Sequence, residues 1–191
     1  MFARTERLLL RPGWAEDAPA LARAIGEEAI VRNLASAPWP YDLSHARAFL
    51  ETERRPDEAS FLIFRRTNGA PRLIGAAGIG RSPEDGVELG YWISRPHWGL
   101  GYATEAGRAI VAIARDALRL KRISAGHFLD NPASGRVLEK LGFTPTGAVA
   151  DRYSCGRREA APSKLFALDL CAERSGGSAA FDPCLEMAAA A

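Results

Sequence analysis

Residues 95–106, RPHWGLGYATEA, decide the fold of this chain, because they join a strand-like segment to a long amphipathic helix. Gly99 and Gly101 let the backbone approach a ligand without a side-chain clash. The first N–H groups of the helix have no partner inside it and lie at its positive end. The turn is therefore predicted to bind an anion such as a pyrophosphate, although the glycines alone fit an ordinary strand-to-helix turn equally well. Their spacing matches neither GxGxxG nor a P-loop.

The segments on either side of this turn predict a mixed α/β domain. Asn68-Gly69 is a strong hairpin signal between two strands, and a further turn at 82–86 leads into a third strand. A strand and a second helix follow the long helix, which is the pattern of an α/β crossover. We predict strands at 5–11, 60–66, 72–78, 87–93, 122–128, 146–153 and 164–170, and helices at 14–28, 44–55 (with Ser44 as N-cap), 101–120 and 131–142.

Length and charge limit the classes of function. The chain has 191 residues, 47% of them hydrophobic, which suffices for one domain, assigned to 1–172; residues 173–191 are predicted to be a disordered tail. The 25 Lys and Arg residues are nearly balanced by 23 Asp and Glu residues, so no surface that binds nucleic acid is expected. No apolar stretch reaches the roughly 20 residues that span a bilayer, and residues 1–11 lack the apolar run of a signal peptide. We expect a cytoplasmic protein that does not bind membranes.

The cysteines and histidines indicate neither a disulfide framework nor a metal site. The thiols are widely spaced without a CxxC pair, and no two histidines have metal-ligand spacing. These residues are Cys155, Cys171, Cys184, His45, His97 and His127. We therefore predict no metal. Cys155, near the arginines of 152–158, is the candidate nucleophile of a rival covalent route, but the sequence indicates no histidine partner for it.

Three motifs in fixed order resemble one known family. They are GYWI at 90–93, WGLGYATEA at 98–106 and NPASGRVLEKLGF at 131–143. The series is similar to the GNAT N-acetyltransferase superfamily, and within it to the subgroup named for the ribosomal-protein N-terminal acetyltransferases, over residues 5–170. The resemblance implies a single α/β domain whose mostly antiparallel sheet of about seven strands is splayed between strands four and five, where acetyl-CoA would bind.

The resemblance also implies which residues contact acetyl-CoA. The pyrophosphate would lie on backbone N–H groups at 99–104, and the pantetheine arm would run beside the strand around Trp92. Asn131 and Ser134 match positions near the sulfur, although a helix N-cap and a solvent-facing first turn explain them as well. The family usually has Gln or Arg where this chain has Trp98. The implied cofactor-binding residues are Trp92, Ile93, Ser94, Gly99, Leu100, Gly101, Tyr102, Ala103, Thr104, Asn131 and Ser134.

An amine acceptor requires a base, because α-amines with a pKa of about 8 and lysines with a pKa of about 10.4 are mostly protonated at neutral pH. Glu88 is the predicted base, since it lies in an otherwise apolar strand beside the expected thioester, where burial would raise its pKa. An exposed position beside Asp85 is the alternative interpretation. The leaving thiolate needs only a weak acid. Ser134 is ranked first for this role, and Tyr91, which alternates with core residues, second.

The acceptor cleft is expected, by family analogy, to be bordered by Trp39, Tyr41 and Tyr153, although aromatic packing explains each of them equally well. The predicted function is transfer of an acetyl group from acetyl-CoA to a primary amine, on a peptide N-terminus or a small molecule, by direct attack in a ternary complex. The alternatives are an acyl-CoA sensor or interaction module without turnover, and a structural protein on the same fold. The assembly is left open, with a homodimer as one option.

Overall fold

A computed structural model of the protein describes residues 1–81 and 86–171. The predicted tail at 173–191 and most of the predicted turn at 82–86 lie outside the described residues, so the division into domain and tail stays a prediction. Within the described ranges, no helix is long and apolar enough to cross a membrane.

One mixed sheet organises the domain. The described part of the chain contains eight strands: β1 Ala3–Arg4, β2 Leu8–Arg11, β3 Ala59–Arg65, β4 Arg72–Arg81, β5 Val87–Ile93, β6 Arg122–Phe128, β7 Thr144–Ser154 and β8 Glu159–Asp169. Their order across the sheet is β1-β2-β3-β4-β5-β6-β8-β7. All neighbours are antiparallel except β5 and β6, which are parallel. The helices are α1 Ala18–Ile25, α2 Glu28–Val31, α3 Leu43–Glu51, α4 Tyr102–Asp116 and α5 Pro132–Lys140.

The sheet is covered by helices on both faces. On one face Leu62 and Phe64 of β3 pack with Ala18 and Leu21 of α1 and with Ala46 of α3. The other face carries the main core, to which α4 contributes four buried residues and β2, β4, β5 and β6 contribute aliphatic side chains. The buried residues of α4 in that core are Tyr102, Ala106, Ile110 and Ala114. Successive side chains of a strand point to opposite faces of the sheet. Neighbouring residues of one strand therefore lie in different surroundings on the two sides of the sheet.

The splay between β5 and β6 is confirmed. Among the described residues these strands register at a single pair, Glu88 with Ser124. The Ser124 hydroxyl donates to the Val87 carbonyl at 3.0 Å, which closes the start of the gap. The connection between β5 and β6 runs through α4. Since the two strands have no register pair beyond Glu88 and Ser124, the edge of β5 from Gly90 onward faces β6 without strand pairing. The result is a gap that opens toward the carboxyl ends of both strands.

Three details of the sequence prediction were wrong. The strand predicted at 5–11 begins only at Leu8, and β1 before it was not predicted: a backbone hydrogen bond from the Thr5 N–H to the Leu8 carbonyl reverses the chain and lets β1 pair with β2. The predicted helix at 14–28 is a 3-10 turn at Ala15–Asp17 followed by α1 and α2, since α1 ends at Gly26. The N-cap of α3 is Asp42 rather than Ser44, because the Asp42 carboxylate accepts from two first-turn N–H groups.

Candidate active site

The turn between β5 and α4, residues 95–101, is named the glycine loop. Gly99 has φ +73° and Gly101 has φ +82°, backbone conformations that strongly favour glycine. The first backbone hydrogen bond of α4 runs from the Glu105 N–H to the Gly101 carbonyl. The preceding N–H groups, at Tyr102 to Thr104, therefore lie at the open end of the helix beside exposed Gly99, Leu100 and Gly101. This geometry fits the phosphate cradle that the sequence predicts.

Side chains on both ends hold the glycine loop in place. The Trp98 indole N–H donates to the Ile93 carbonyl at 2.6 Å, which ties the loop to the end of β5. The buried Ser94 hydroxyl is hydrogen-bonded to His97 Nδ1 at 2.9 Å. Arg7 Nη1 donates to the Leu100 carbonyl at 3.0 Å. Trp98 thus has a structural role at the position where the family usually has Gln or Arg.

Glu105 anchors the first turn of α4 to the turn between β1 and β2. Its carboxylate accepts from the Thr5 hydroxyl at 2.5 Å, from the Arg7 N–H at 2.9 Å and from Arg7 Nε at 2.7 Å. Burial raises the pKa of Glu105, but the hydrogen bonds from Thr5 and Arg7 and the Arg7 charge outweigh this effect and hold the pKa below its ordinary value of 4.5. The Arg7 guanidinium also lies 4.5 Å from the centre of the Tyr102 ring. Sequence reasoning did not find this anchor.

We expect Glu105→Gln to lower the free energy of unfolding at pH 7 by about 1–2 kcal/mol, because it removes a carboxylate that accepts several hydrogen bonds. A pKa below its unfolded value means that the stabilisation is fully present above about pH 4.5 and is lost as pH falls through the folded pKa. Urea unfolding at several pH values should show the difference between variant and wild type shrinking toward about pH 3. A difference that is the same at every pH would contradict the ionic anchor.

The residues expected beside the pantetheine arm lie along the gap. Ile93 and Ser94 are buried at the carboxyl end of β5, where the Ser94 N–H donates to the Ile74 carbonyl at 2.7 Å. Trp92 points to the opposite face of the sheet and packs with α1–α3 side chains. An extended chain could pair with the unpaired edge of β5 in the manner of an added strand. The gap therefore fits the predicted arm.

On the α4/α5 face, two hydroxyl groups meet across the gap. Tyr91 Oη on β5 lies 2.8 Å from Ser134 Oγ on α5, and the tyrosine also donates to the Ser134 carbonyl at 3.0 Å. Burial raises the pKa of Tyr91 to about 12, although the Ser134 hydrogen bond opposes the rise. Asn131 is the N-cap of α5, with its side chain accepting from the Ser134 N–H at 3.4 Å. The N-cap interpretation of Asn131 is thus confirmed, and a contact with the cofactor arm stays a prediction.

On the opposite face, Glu88 forms an ion pair with Arg152 of β7. Arg152 Nη1 lies 2.7 Å and 2.9 Å from the two carboxylate oxygens, and the side chains are 13% and 18% exposed for Arg152 and Glu88. Arg152 reaches across the sheet because Gly126 has no side chain; a Cβ there would lie 2.9 Å from Arg152 Nη1. The predicted apolar surroundings of Glu88 were therefore wrong, since a guanidinium group lies against both of its carboxylate oxygens. The role of Glu88 as a base stays a prediction.

Two of the three residues expected at the acceptor cleft come together. Trp39 and Tyr41 pack in one cluster with Trp92 of β5, on the same face as Glu88. Burial raises the pKa of Tyr41 to about 12, and the neighbouring Asp42 charge adds to the rise. Tyr153 does not join this cluster: it lies on β7 and is 58% exposed. The sheet thus places aromatic side chains and a carboxylate on one face of the gap, and the hydroxyl pair on the other.

A cluster of Asp130 with two arginines, Arg157 and Arg32, holds the turn before α5. The sequence analysis did not predict it. Asp130 accepts from Arg157 at 2.7 and 2.9 Å and from Arg32 at 3.0 Å. The Arg157 hydrogen bonds hold the pKa of Asp130 below its ordinary value, although burial opposes them. Arg157 also packs over the Phe128 ring and donates to the Arg32 carbonyl. These contacts join the β7–β8 turn to the residues that precede Asn131, and no spacing in the sequence signals them.

Activity should not require a metal ion or a thiol. No three His, Cys, Asp or Glu side chains in 1–81 and 86–171 are grouped to hold a metal ion. Cys155 is partly buried, and its backbone N–H donates to the Ala35 carbonyl. We expect EDTA and Cys155→Ser each to leave the steady-state rate within about twofold of wild type. A large loss with either would favour metal-assisted or covalent catalysis, and the covalent route would also give ping-pong kinetics.

Comparison with known families shows the reaction class. The family described as "Acetyltransferase (GNAT) domain" matches residues 7–144. The chain belongs to this acetyltransferase family. A relative named "Uncharacterized N-acetyltransferase YoaA", from Bacillus subtilis (strain 168), is 32% identical over 152 residues, which cover 76% of this chain and 84% of that protein. The resemblance inferred from the three motifs is thereby confirmed, and the chain is a GNAT-type acetyltransferase.

Solved structures show the same GNAT fold. An acetyltransferase (GNAT family) from Bacillus anthracis has a TM-score of 0.74 at 23% identity and covers 89% of this chain and 99% of its own. RimL, a ribosomal L7/L12 alpha-N-protein acetyltransferase solved in complex with coenzyme A, has a TM-score of 0.73 at 19% identity, with coverage of 88% and 98%. The predicted fold class is confirmed by these likenesses and by the observed sheet.

Proposed function

We propose that this GNAT enzyme transfers an acetyl group from acetyl-CoA to a primary amine, on a peptide N-terminus or a small molecule. The observation that carries the proposal is the gap between β5 and β6. It ends at the glycine loop, and it has the Glu88 carboxylate on one face and the Tyr91–Ser134 hydroxyl pair on the other. The gap and the glycine loop suit a long thioester cofactor. The carboxylate suits an incoming amine, and the hydroxyl pair on the other face suits a leaving thiolate.

Each part of the gap has a distinct task in the proposed mechanism. Bound acetyl-CoA supplies the acyl group as an activated thioester. The N–H groups at the start of α4 hold the pyrophosphate, and the β5 edge orients the pantetheine arm. Glu88, held in place by Arg152, accepts the ammonium proton through a water and leaves the amine neutral. When the amine has attacked, the C–S bond breaks and Ser134, hydrogen-bonded to Tyr91 Oη, gives a proton to the sulfur from the other face. The nitrogen releases one proton as it becomes the amide, and Ser134 regains one through water, so the products are the amide and free coenzyme A.

Direct attack by the amine is favoured over an acyl-enzyme. The proposed base, Glu88, and the proposed acid, Ser134, lie on opposite faces of the sheet. In a ternary complex the amine can therefore lose a proton on one face while the thiolate gains one on the other. The acceptor is proposed to enter from the face where Trp39 and Tyr41 pack beside Trp92. An α-amine or a small primary amine is the proposed acceptor class, in keeping with RimL, whose acceptor is named as a ribosomal protein.

The test is an acceptor screen with acetyl-CoA that measures release of free thiol. The panel holds peptides with free and with blocked N-termini, polyamines, aminoglycosides and free amino acids. We expect at least one primary amine to raise thiol release well above the hydrolysis background, and its N-blocked analogue to remain at background. If acetyl-CoA binds but no amine raises the rate, the sensor alternative replaces the proposal; if it does not bind, a structural role does.

A further inference from the structure

Two arginines lie opposite each other across β3 and β4, at the edge of the sheet that carries the glycine loop. Arg65 and Arg72 are register partners in this antiparallel pair. The preceding pair, Phe64 and Leu73, packs beneath α1 and α3. Because side chains alternate along strands, Arg65 and Arg72 project toward the other face, where α4 begins. Like charges directly opposite each other on neighbouring strands are destabilising. The placement of two arginines at this pair of positions therefore calls for a functional explanation.

The charge of this arginine pair is not neutralised by the described residues. Neither guanidinium forms a hydrogen bond or ion pair within 1–81 and 86–171, and Arg65 Nε is shielded from solvent without a hydrogen-bond partner there. The nearby carboxylate of Glu105 is occupied by Arg7. Arg66 is also occupied, because its Nη1 donates to the carbonyls of Thr5 and Glu6. Among the described residues, the guanidinium groups of Arg7 and Arg66 thus have partners, and those of the pair have none.

Arg65 of the pair lines a pocket at the start of α4, beside the expected phosphate cradle. A pocket of about 330 Å³ is lined by Arg65 together with Arg7, Arg66 and Tyr102, the first residue of α4. The exposed Glu6 is the acidic residue on its wall. Arg7 in turn contacts the Leu100 carbonyl of the glycine loop. The pocket thus lies beside the first residue of α4, at the positive end of that helix, and Arg7 links it to the glycine loop.

The field of both arginines reaches the glycine loop. Burial lowers the pKa of His97, and the charges of Arg65 and Arg72 lower it further. His97 belongs to the glycine loop, where its ring is hydrogen-bonded to Ser94 and meets Tyr102 edge-on at 6.1 Å between ring centres. A phosphate bound at the loop would feel the same two positive charges.

We propose that Arg65 and Arg72 form a phosphate-binding subsite that flanks the glycine loop and takes a phosphate of the nucleotide half of coenzyme A. The inference rests on the proposed use of acetyl-CoA. Guanidinium groups bind phosphate oxygens through paired, charge-assisted hydrogen bonds. Arg65 and Arg72 supply two such guanidinium groups. Coenzyme A offers two phosphate sources, its pyrophosphate and its 3′-phosphate, and both share this chemistry.

The test measures coenzyme A binding by calorimetry in wild type, Arg72→Gln and the Arg65→Gln/Arg72→Gln double variant. We expect the dissociation constant to rise about tenfold in the double variant, with a smaller rise for the exposed Arg72 alone. Arg47→Gln, which removes an equal charge from exposed α3, is the matched control and should bind as wild type does. The melting temperature should stay level or rise, because the substitutions remove repulsion; a purely structural pair would lower it.

Binding of 3′-dephospho-coenzyme A distinguishes the two phosphate sources. If the double variant loses affinity for coenzyme A but not for the dephospho form, the subsite holds the 3′-phosphate. If it loses affinity for both, the subsite holds the pyrophosphate. Unchanged affinity for both ligands would overturn the subsite and leave the proposed function standing. No binding of coenzyme A to wild type would overturn the proposed function and the subsite together.

Discussion

Gly101→Val should abolish detectable acetyl-CoA binding while the protein still folds. The φ of +82° at Gly101 costs a residue with a side chain about 1–2 kcal/mol, which a folded domain survives. A Cβ there would meet only Arg7 Nη2, at 3.5 Å, so the chain itself has room for it. The space that valine fills is the space proposed for the pyrophosphate beside the first N–H groups of α4. Calorimetry with acetyl-CoA measures the loss.

Gly147→Val is the matched control for backbone strain. Gly147 has φ +84°, close to that of Gly101, and a Cβ there would meet nothing within 4 Å. Both variants should lose similar stability in thermal melts, but Gly147→Val, on β7 away from the glycine loop, should bind acetyl-CoA as wild type does. Normal binding by Gly101→Val would show that the cofactor lies elsewhere.

Glu88→Gln should lower kcat by about 10²- to 10⁴-fold, the usual contribution of a general base, with acetyl-CoA affinity unchanged. Glutamine keeps the size of the side chain and removes its basicity. Activity should recover in part at high pH, because near the acceptor's own pKa more of the amine is already neutral. Rate profiles between about pH 6 and 9 measure this recovery. Wild-type kcat across that range would exclude Glu88 as the base.

The Glu88–Arg152 ion pair makes a stability control necessary, because the substitution also removes the carboxylate from a mostly buried arginine. Asp17→Asn serves this purpose. Asp17 pairs with Arg11 at 2.7 Å, the two side chains are 11% and 13% exposed, and the pair lies at the start of α1. Both variants should lose stability, but only Glu88→Gln should lose kcat and gain the recovery at high pH.

Local signals predicted the parts of the fold that form from short stretches of chain. The turn at Asn68-Gly69 separates β3 from β4 as expected, and the alternation of small apolar and polar residues gives α4. The splay between β5 and β6 came from the family resemblance and is seen in the single register pair of these strands. The break after β1 was missed, because one backbone hydrogen bond at Thr5 decides it.

The electrostatics of the site could not be read from the sequence, because they depend on contacts between distant segments. Glu88 and Arg152 are 64 residues apart and meet only when β7 packs beside β8 and Gly126 leaves room. Arg65 and Arg72 are close in sequence, but the structure is needed to see that neither forms an ion pair among the described residues and that the Glu105 carboxylate pairs with Arg7 instead. The positions of motifs in the sequence thus predict where a site lies. The charged groups around that site are known only once the fold shows which distant residues meet.

Mass spectrometry of both partners after incubation with acetyl-CoA and the best acceptor tests the central claim most directly. Direct transfer from the gap between β5 and β6 predicts that the acceptor gains one acetyl group on its primary amine. The enzyme should carry no acetyl group when the reaction is stopped at any time, including before the acceptor is added. An acetyl group trapped on the enzyme, or an acceptor that stays unmodified while thiol is released, would contradict the account.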